Sequence, residues 1–162
     1  KNTSPENLTA CILKRPRHDH IVESLKSLNV KINFISDGDV SGVISVAYPK
    51  SEIDIYIGTG GGPEGVLAAA ALKCLGCQMQ TRLKFYEEEE KVRVRKMGIK
   101  DLGFKYKIID MVKEDVIFCA TGVTDGDLVK GIKDFDDYFE SETFVLHQSS
   151  MTNEIFKKRI KK

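Results

Sequence analysis

The sequence has no long apolar run. Its longest, residues 66–72, is far short of the roughly 20 residues an α-helix needs to cross a bilayer, so no membrane partner is expected. It has almost no net charge: 25 Lys and Arg stand against 24 Asp and Glu, a formal +1. That balance gives no reason to expect a nucleic-acid or anionic-membrane partner. Cysteine is scarce, at four residues: Cys11, Cys74, Cys77 and Cys119. Cys74 and Cys77 have the CxxC spacing, but no second pair or histidine cluster follows, so zinc is not implied. Free, buried thiols in a reducing, cytoplasmic setting are expected instead. There is no internal repeat, low-complexity stretch or clear linker.

What is present suits one globular domain. The 162 residues are 41% hydrophobic and 30% charged, enough for a real core. Segments of strand and helix character alternate. Strands are predicted over 8–13, 31–35, 53–57, 78–85, 115–120 and 143–147. Helices are predicted over 18–28, where Ile21, Val22, Leu25 and Leu28 fall on one face, over 39–47 with Asp39 as cap, over 63–75 and over 87–97. Pro63 suits a first helical turn, and Gly76 and Gly98 suit helix stops. The acidic run at 87–90 and the basic tail at 157–162 are expected to be solvated, the tail as a frayed terminus. The alternation argues an α/β fold with helices covering a sheet. Function in such sheets collects at strand-to-helix loops.

Three such loops carry groups with chemistry. Lys14-Arg15-Pro16-Arg17 sets two guanidinium groups around a proline that stiffens the backbone, an arrangement suited to gripping phosphate; a solvated basic turn has the same composition. Ser36-Asp37-Gly38-Asp39 ends a strand with two carboxylates around a glycine. They suit sugar hydroxyls or a hard cation, and also an ordinary turn and helix cap. Residues 58–65, Gly-Thr-Gly-Gly-Gly-Pro-Glu-Gly, join a strand to a helix N-terminus, where bare N–H groups favour an anion. Glu64 in the first helical turn suits the helix dipole but repels phosphate. A divalent cation between them reconciles the two, and a capping glutamate is the plainer alternative.

A dinucleotide-binding turn is the rival for the glycine loop. Gly60, Gly62 and Gly65 fit G-x-G-x-x-G, but no acid ends a following strand at the usual distance, so the match is weak. A fourth segment, Ala120-Thr121-Gly122-Val123-Thr124-Asp125-Gly126-Asp127, repeats the strand-then-turn pattern. It suits a second substrate wall or a turn built on local hydrogen bonds, and the residues assign it no role.

Together, residues 12–18, 36–39, 60–70 and 120–128 resemble the motifs of the class II, GlpX-type fructose-1,6-bisphosphatases in order and spacing, over nearly the whole chain. The resemblance implies an α/β layered sandwich of the lithium-sensitive sugar-phosphatase superfamily, of which residues 1–162 would be the carboxy-terminal half, with the amino-terminal half absent. It implies Mn²⁺- or Mg²⁺-dependent hydrolysis of the 1-phosphate of fructose 1,6-bisphosphate, in gluconeogenesis, by a homo-oligomer. It implies that Arg15, Pro16, Arg17, Asp37, Gly38, Asp39 and Gly61 bind substrate and that Glu64 is a metal ligand. The catalytic residues and other metal carboxylates would lie in the other half, so the chain alone is expected to be inactive. Sedoheptulose-1,7-bisphosphatase activity and a non-catalytic sugar-phosphate or nucleotide module are the alternatives.

Overall fold

The computed structural model describes residues 2–162. Its first half is built on a three-stranded parallel sheet in the order β2-β1-β3, with β1 Thr9–Leu13, β2 Lys31–Ile35 and β3 Ile55–Tyr56. β1 lies in the middle, and Ala10 to Leu13 are all buried, as a central parallel strand with an unbroken apolar run should be. β2 is an edge strand and leaves Phe34 47% exposed. Helix α1 (Asp19–Ser27) connects β1 to β2, and α2 (Asp39–Ser45) connects β2 to β3. Asn29, at φ 56, takes the left-handed region just after α1, a conformation that commonly stops a helix.

Helix α3 (Gly62–Cys74) is the centre of the molecule, with five consecutive residues, Ala68 to Leu72, buried. Five buried positions in a row cover every side of a helix, so α3 has neighbours all round. On one side Ala71 packs with Ile44 of α2 and with Phe118, Val129, Phe144 and Leu146. On another, Ala68 and Leu72 pack with Val43, flanked by Tyr56, Cys77, Met79 and Ile108. Alanine, with a single methyl, lets the neighbouring backbones approach closely. Gly76, at φ 68, stops the helix as predicted.

The second half holds a small two-stranded sheet, β4 (Gln80–Thr81) with β5 (Tyr106–Lys107), the helices α4 (Glu88–Lys96) and α5 (Ile108–Met111), and a larger antiparallel sheet. In that larger sheet β8 (Tyr138–His147) is central. β6 (Ile117–Thr121) and β7 (Lys133–Asp134) pair with successive parts of one edge, and β9 (Thr152–Lys161) pairs with the other along its whole length.

Several expectations change. The helix predicted over 18–28 begins at Asp19, because Pro16–His18 forms a separate 3-10 turn. Strand 53–57 shortens to Ile55–Tyr56, and strand 78–85 to Gln80–Thr81. Strand 115–120 becomes Ile117–Thr121, and 143–147 is only the end of a ten-residue strand. Gly38, not Asp39, caps α2, and Asp39 is its first residue. The acidic run opens α4 through a reciprocal capping box of Glu87 and Glu90, which gives the terminal N–H groups partners.

The basic tail is not frayed: it is β9. Lys157 Nζ meets Glu142 at 2.9 Å, and Arg159 Nε meets Glu140 at 2.9 Å. Each pair sits directly opposite across the strands, where unlike charges favour pairing. The partners of these cations lie far off in sequence, so a run of Lys and Arg read alone gave no sign of them. The thiols also differ from expectation. Cys11 is buried and Cys74 and Cys77 are partly so, and burial raises all three above the ordinary thiol range, but Cys119 is exposed. Among the described residues no helix is long and apolar enough to cross a membrane.

Candidate functional site

Because β1, β2 and β3 run parallel, their carboxyl ends point the same way. The three loops singled out in the sequence leave those ends and gather at one edge of the sheet, the usual place for ligands in such folds. Parallel pairing therefore brings together Lys14 to Arg17, Ser36 to Asp39 and Gly58 to Glu64.

Two side chains lock the first loop to the third. His18 is only 1% exposed. Its Nε2 accepts the Thr59 backbone N–H at 2.9 Å, and its Nδ1 lies 2.7 Å from the Leu13 carbonyl oxygen. Nδ1 faces a carbonyl oxygen, which can only accept, so it carries a proton and donates to Leu13, while Nε2 also lies 3.2 Å from the Thr59 carbonyl oxygen. Arg17 Nε–H donates to the Thr59 carbonyl at 2.7 Å, so both backbone polar groups of Thr59 are held by this loop. Pro16 takes the first position of the 3-10 turn, where its missing N–H costs nothing. Arg15 is half-exposed, and among the described residues its hydrogen bond runs from Nη1 to the adjacent Lys14 carbonyl, at 2.9 Å.

The acidic groups border the glycines. A methyl group at Gly60 would lie 3.4 Å from Asp39 Oδ2, and one at Gly61 would collide with the Glu64 carboxylate, which folds back over the start of α3. The cap residue, Gly61, has no side chain to bond the helix start, and no capping bond is made among the described residues, so the first N–H groups are available to a ligand. Gly38, at φ 76, must adopt the left-handed conformation to turn the chain into α2, which glycine does at least cost. Asp37 is exposed beside it, and Asp39 is half-buried.

Tyr56 lies under the site. Its phenol is pushed up to about 12 by burial first, then by the carboxylate of Asp39 and by Cys11, with Arg17 opposing. It thus feels both the acid of the second loop and the cation of the first. A methyl group at Gly58 would lie 3.4 Å from the Tyr56 hydroxyl and 3.6 Å from the His18 ring, so that glycine leaves room where the loops meet.

The structure brings together Arg15, Pro16, Arg17, Asp37, Gly38, Asp39, Gly61 and Glu64, and adds two residues given no role in the sequence, His18 and Tyr56. His18 had a signal: with Ile21, Val22 and Leu25 it completes an i, i+3, i+4, i+7 apolar stripe, which marks an inward-facing position. Tyr56 had none beyond its place in a strand. The fourth segment stands apart. Its Gly126 N–H donates to Val129, Ile132 N–H to Val123, and Gly131 N–H to Asp125 Oδ1 at 2.9 Å. A methyl group at Gly122 would strike the Lys130 carbonyl. This is a tight loop closed on itself, and no hydrogen bond among the described residues ties it to the other three.

Oxygen ligands suit a hard divalent cation, and Glu64 and Asp39 supply them beside backbone donors that suit phosphate. Among the described residues, no three His, Cys, Asp or Glu side chains converge as a complete metal cage, so such an ion needs further ligands from elsewhere.

Comparison with known proteins supplies the family. The sequence model described as bacterial fructose-1,6-bisphosphatase, glpX-encoded, matches residues 1–159. This chain belongs to that family. Fructose-1,6-bisphosphatase class 2 of Haemophilus influenzae is 37% identical over 163 residues, which cover 92% of this chain and 49% of that protein. Fructose-1,6-bisphosphatase 1 class 2 of Escherichia coli K12 is 37% identical over 159 residues, 90% of this chain and 47% of the relative. The chain thus spans about half the length of the curated relatives it matches. The three site loops lie within the matched region of the GlpX-type family.

Proposed function

We propose that this chain supplies the substrate-binding side, and one metal ligand, of a phosphatase that removes the 1-phosphate from fructose 1,6-bisphosphate to give fructose 6-phosphate and phosphate. It would be one half of a layered αβα sandwich of the lithium-sensitive sugar-phosphatase superfamily. The observation that carries this reading is the clasp of Arg17 and His18 on Thr59, which holds a cationic loop against a glycine turn bordered by two carboxylates. A sugar bisphosphate presents those same chemistries: anionic groups at its ends and hydroxyls between them.

In this reading Arg15 and Arg17 hold the distal phosphate, with Pro16 limiting the entropy lost on binding. Arg17 is already fixed by Thr59, so its guanidinium is pre-oriented. Asp37 and Asp39 accept hydrogen bonds from sugar hydroxyls. Gly61 lets the Glu64 carboxylate fold back over the helix start, and Glu64 is the metal ligand. A bound Mn²⁺ or Mg²⁺ would offset phosphate charge and activate water. Further metal ligands and the groups that place that water belong to the part of the family polypeptide not spanned here. This chain by itself therefore binds sugar phosphate weakly and does not turn over.

The test is Mn²⁺-dependent phosphate release from fructose 1,6-bisphosphate by this chain mixed with the complementary half of the Haemophilus influenzae relative. Release that needs both polypeptides, and that Glu64→Ala abolishes, is expected. A mixture shown to associate but releasing no phosphate would overturn the assignment, as would steady release by this chain alone.

A further inference from the structure

The antiparallel sheet packs on α3 through part of one face, and its other face leaves apolar side chains exposed among polar ones. Directly opposed residues in antiparallel strands share a face. Phe118 pairs with Leu146 and Ala120 with Phe144; this inner set packs with Ala71 of α3. The alternate residues point the other way. Ile117, Cys119 and Thr121 oppose His147, Val145 and Thr143, and Phe139 opposes Ile160. On this outer side Ile117, Ile132, Phe139, Phe156 and Ile160 are each between 39% and 61% exposed. Ile132, Phe139, Ser141 and Ile160 line a shallow depression there. Among the described residues β9 pairs with β8 alone, so no strand lies on its far edge.

Asp134, Ser141, Thr143, Glu154 and Lys158 share this outer side, so its apolar part is the cluster of Ile132, Phe139 and Ile160 around the depression. Contiguous apolar patches of this kind mark association surfaces. The matched relatives are about twice as long as the region aligned, which covers 49% and 47% of their lengths. A polypeptide of that length carries a second half with apolar faces of its own to bury. We propose that the outer face of the β6–β9 sheet is the seat of the half of the family polypeptide that this chain does not span, with a side chain of that half filling the depression between Phe139 and Ile160. This is a structural interface, and it holds whether or not the bisphosphatase reading does.

Cys119 is a reporter placed on this face by the fold: a free, exposed thiol opposite Val145. The experiment measures N-ethylmaleimide modification of Cys119, read by peptide mass, in this chain alone and with the complementary half of the Haemophilus influenzae relative at micromolar concentration. Docking on the outer face slows modification at least tenfold. The double variant Phe156→Lys, Ile160→Lys returns the rate to within about twofold of the free chain, whereas Met97→Lys, at an exposed apolar position on the segment after α4, leaves protection intact. Should the double variant lose its β-sheet circular dichroism, Ile160→Lys alone, near the end of β9, carries the same test. Association without protection of Cys119 places the interface elsewhere and overturns the proposal, as does absence of association. Protection that grows with the concentration of this chain alone overturns it in favour of a second copy as the occupant. Because the readout needs no turnover, protection without phosphate release would retain the interface and reject the function.

Discussion

The imidazole of His18 receives the Thr59 backbone N–H on Nε2 at 2.9 Å while facing the Leu13 carbonyl through Nδ1 at 2.7 Å. One buried ring thus spans the end of β1 and the glycine loop after β3, and it gives both loops a fixed separation. Arg17 repeats the tie from the other side of the same residue, through the Thr59 carbonyl.

Removing the ring should show this directly. His18→Ala leaves a cavity and orphans the Thr59 N–H. The orphaned N–H costs roughly 1–3 kcal/mol and the cavity about 2 kcal/mol or more, so a loss of about 4 kcal/mol is expected. Urea denaturation measures the loss. Hydrogen exchange at Thr59 and its neighbours should rise well beyond the change at β8, which does not depend on the clasp. Equal acceleration across both sheets would mean that His18 acts only as core.

Gly61→Ala separates fold from ligand. The backbone there is extended, at φ −68 and ψ 151, so alanine is tolerated, and stability should change by no more than about 1 kcal/mol. The added methyl would meet the Glu64 carboxylate, which is flexible and must swing away. Paramagnetic broadening of the Gly60 to Gly65 amide resonances by Mn²⁺ should therefore weaken in Gly61→Ala and weaken further in Glu64→Gln. Broadening unchanged in both would remove Glu64 from the metal site.

Tyr56 offers a titration. Its phenol is raised to about 12 by burial, with Asp39 adding to the shift. The folded value exceeds the unfolded one, so the associated stability is fully present below about pH 10 and is lost as pH rises through about 12. Near-ultraviolet absorbance titration should show a late phenolate step that Tyr56→Phe removes. Asp39→Asn should bring that step lower by taking away a raising charge, while leaving the part due to burial.

At the other end of the molecule, Asp115 is held down to about 2 by Ser149, His147 and the Val116 N–H. Its carboxylate accepts from the His147 ring at 3.0 Å and from the Ser149 N–H at 3.2 Å, bracing the turn between β8 and β9. A depressed folded value means that the brace is in place above about pH 4 and is lost as pH falls through about 2. The protection of the Thr152 and Asn153 amides, relative to an unstructured peptide at the same pH, should fall over that window in the native chain. In Asp115→Asn their protection should already be low at neutral pH and should change little with acid.

The sequence by itself determined the ingredients of the site. Glycine at 38 and 61, proline at 16, arginine at 15 and 17 and acids at 37, 39 and 64 are choices that local backbone and charge chemistry make readable. So is the alternation that declares an α/β chain, because period and turn residues are local properties. The stop at Gly76 and the strand at Lys31–Ile35 were legible for the same reason. What only the tertiary structure decided is whatever depends on residues far apart in the chain. Parallel pairing brought three loops to one edge, and His18, counted as a helix residue, became the clasp because Thr59 came within reach. The basic tail became a strand because Glu142 and Glu140 stood opposite Lys157 and Arg159. Cys119, in an apolar run that suggested burial, faces outward because strand register fixes which alternate residues meet α3. Local preference sets what each segment can be; long-range pairing sets which neighbours it meets, and the site is made of those neighbours.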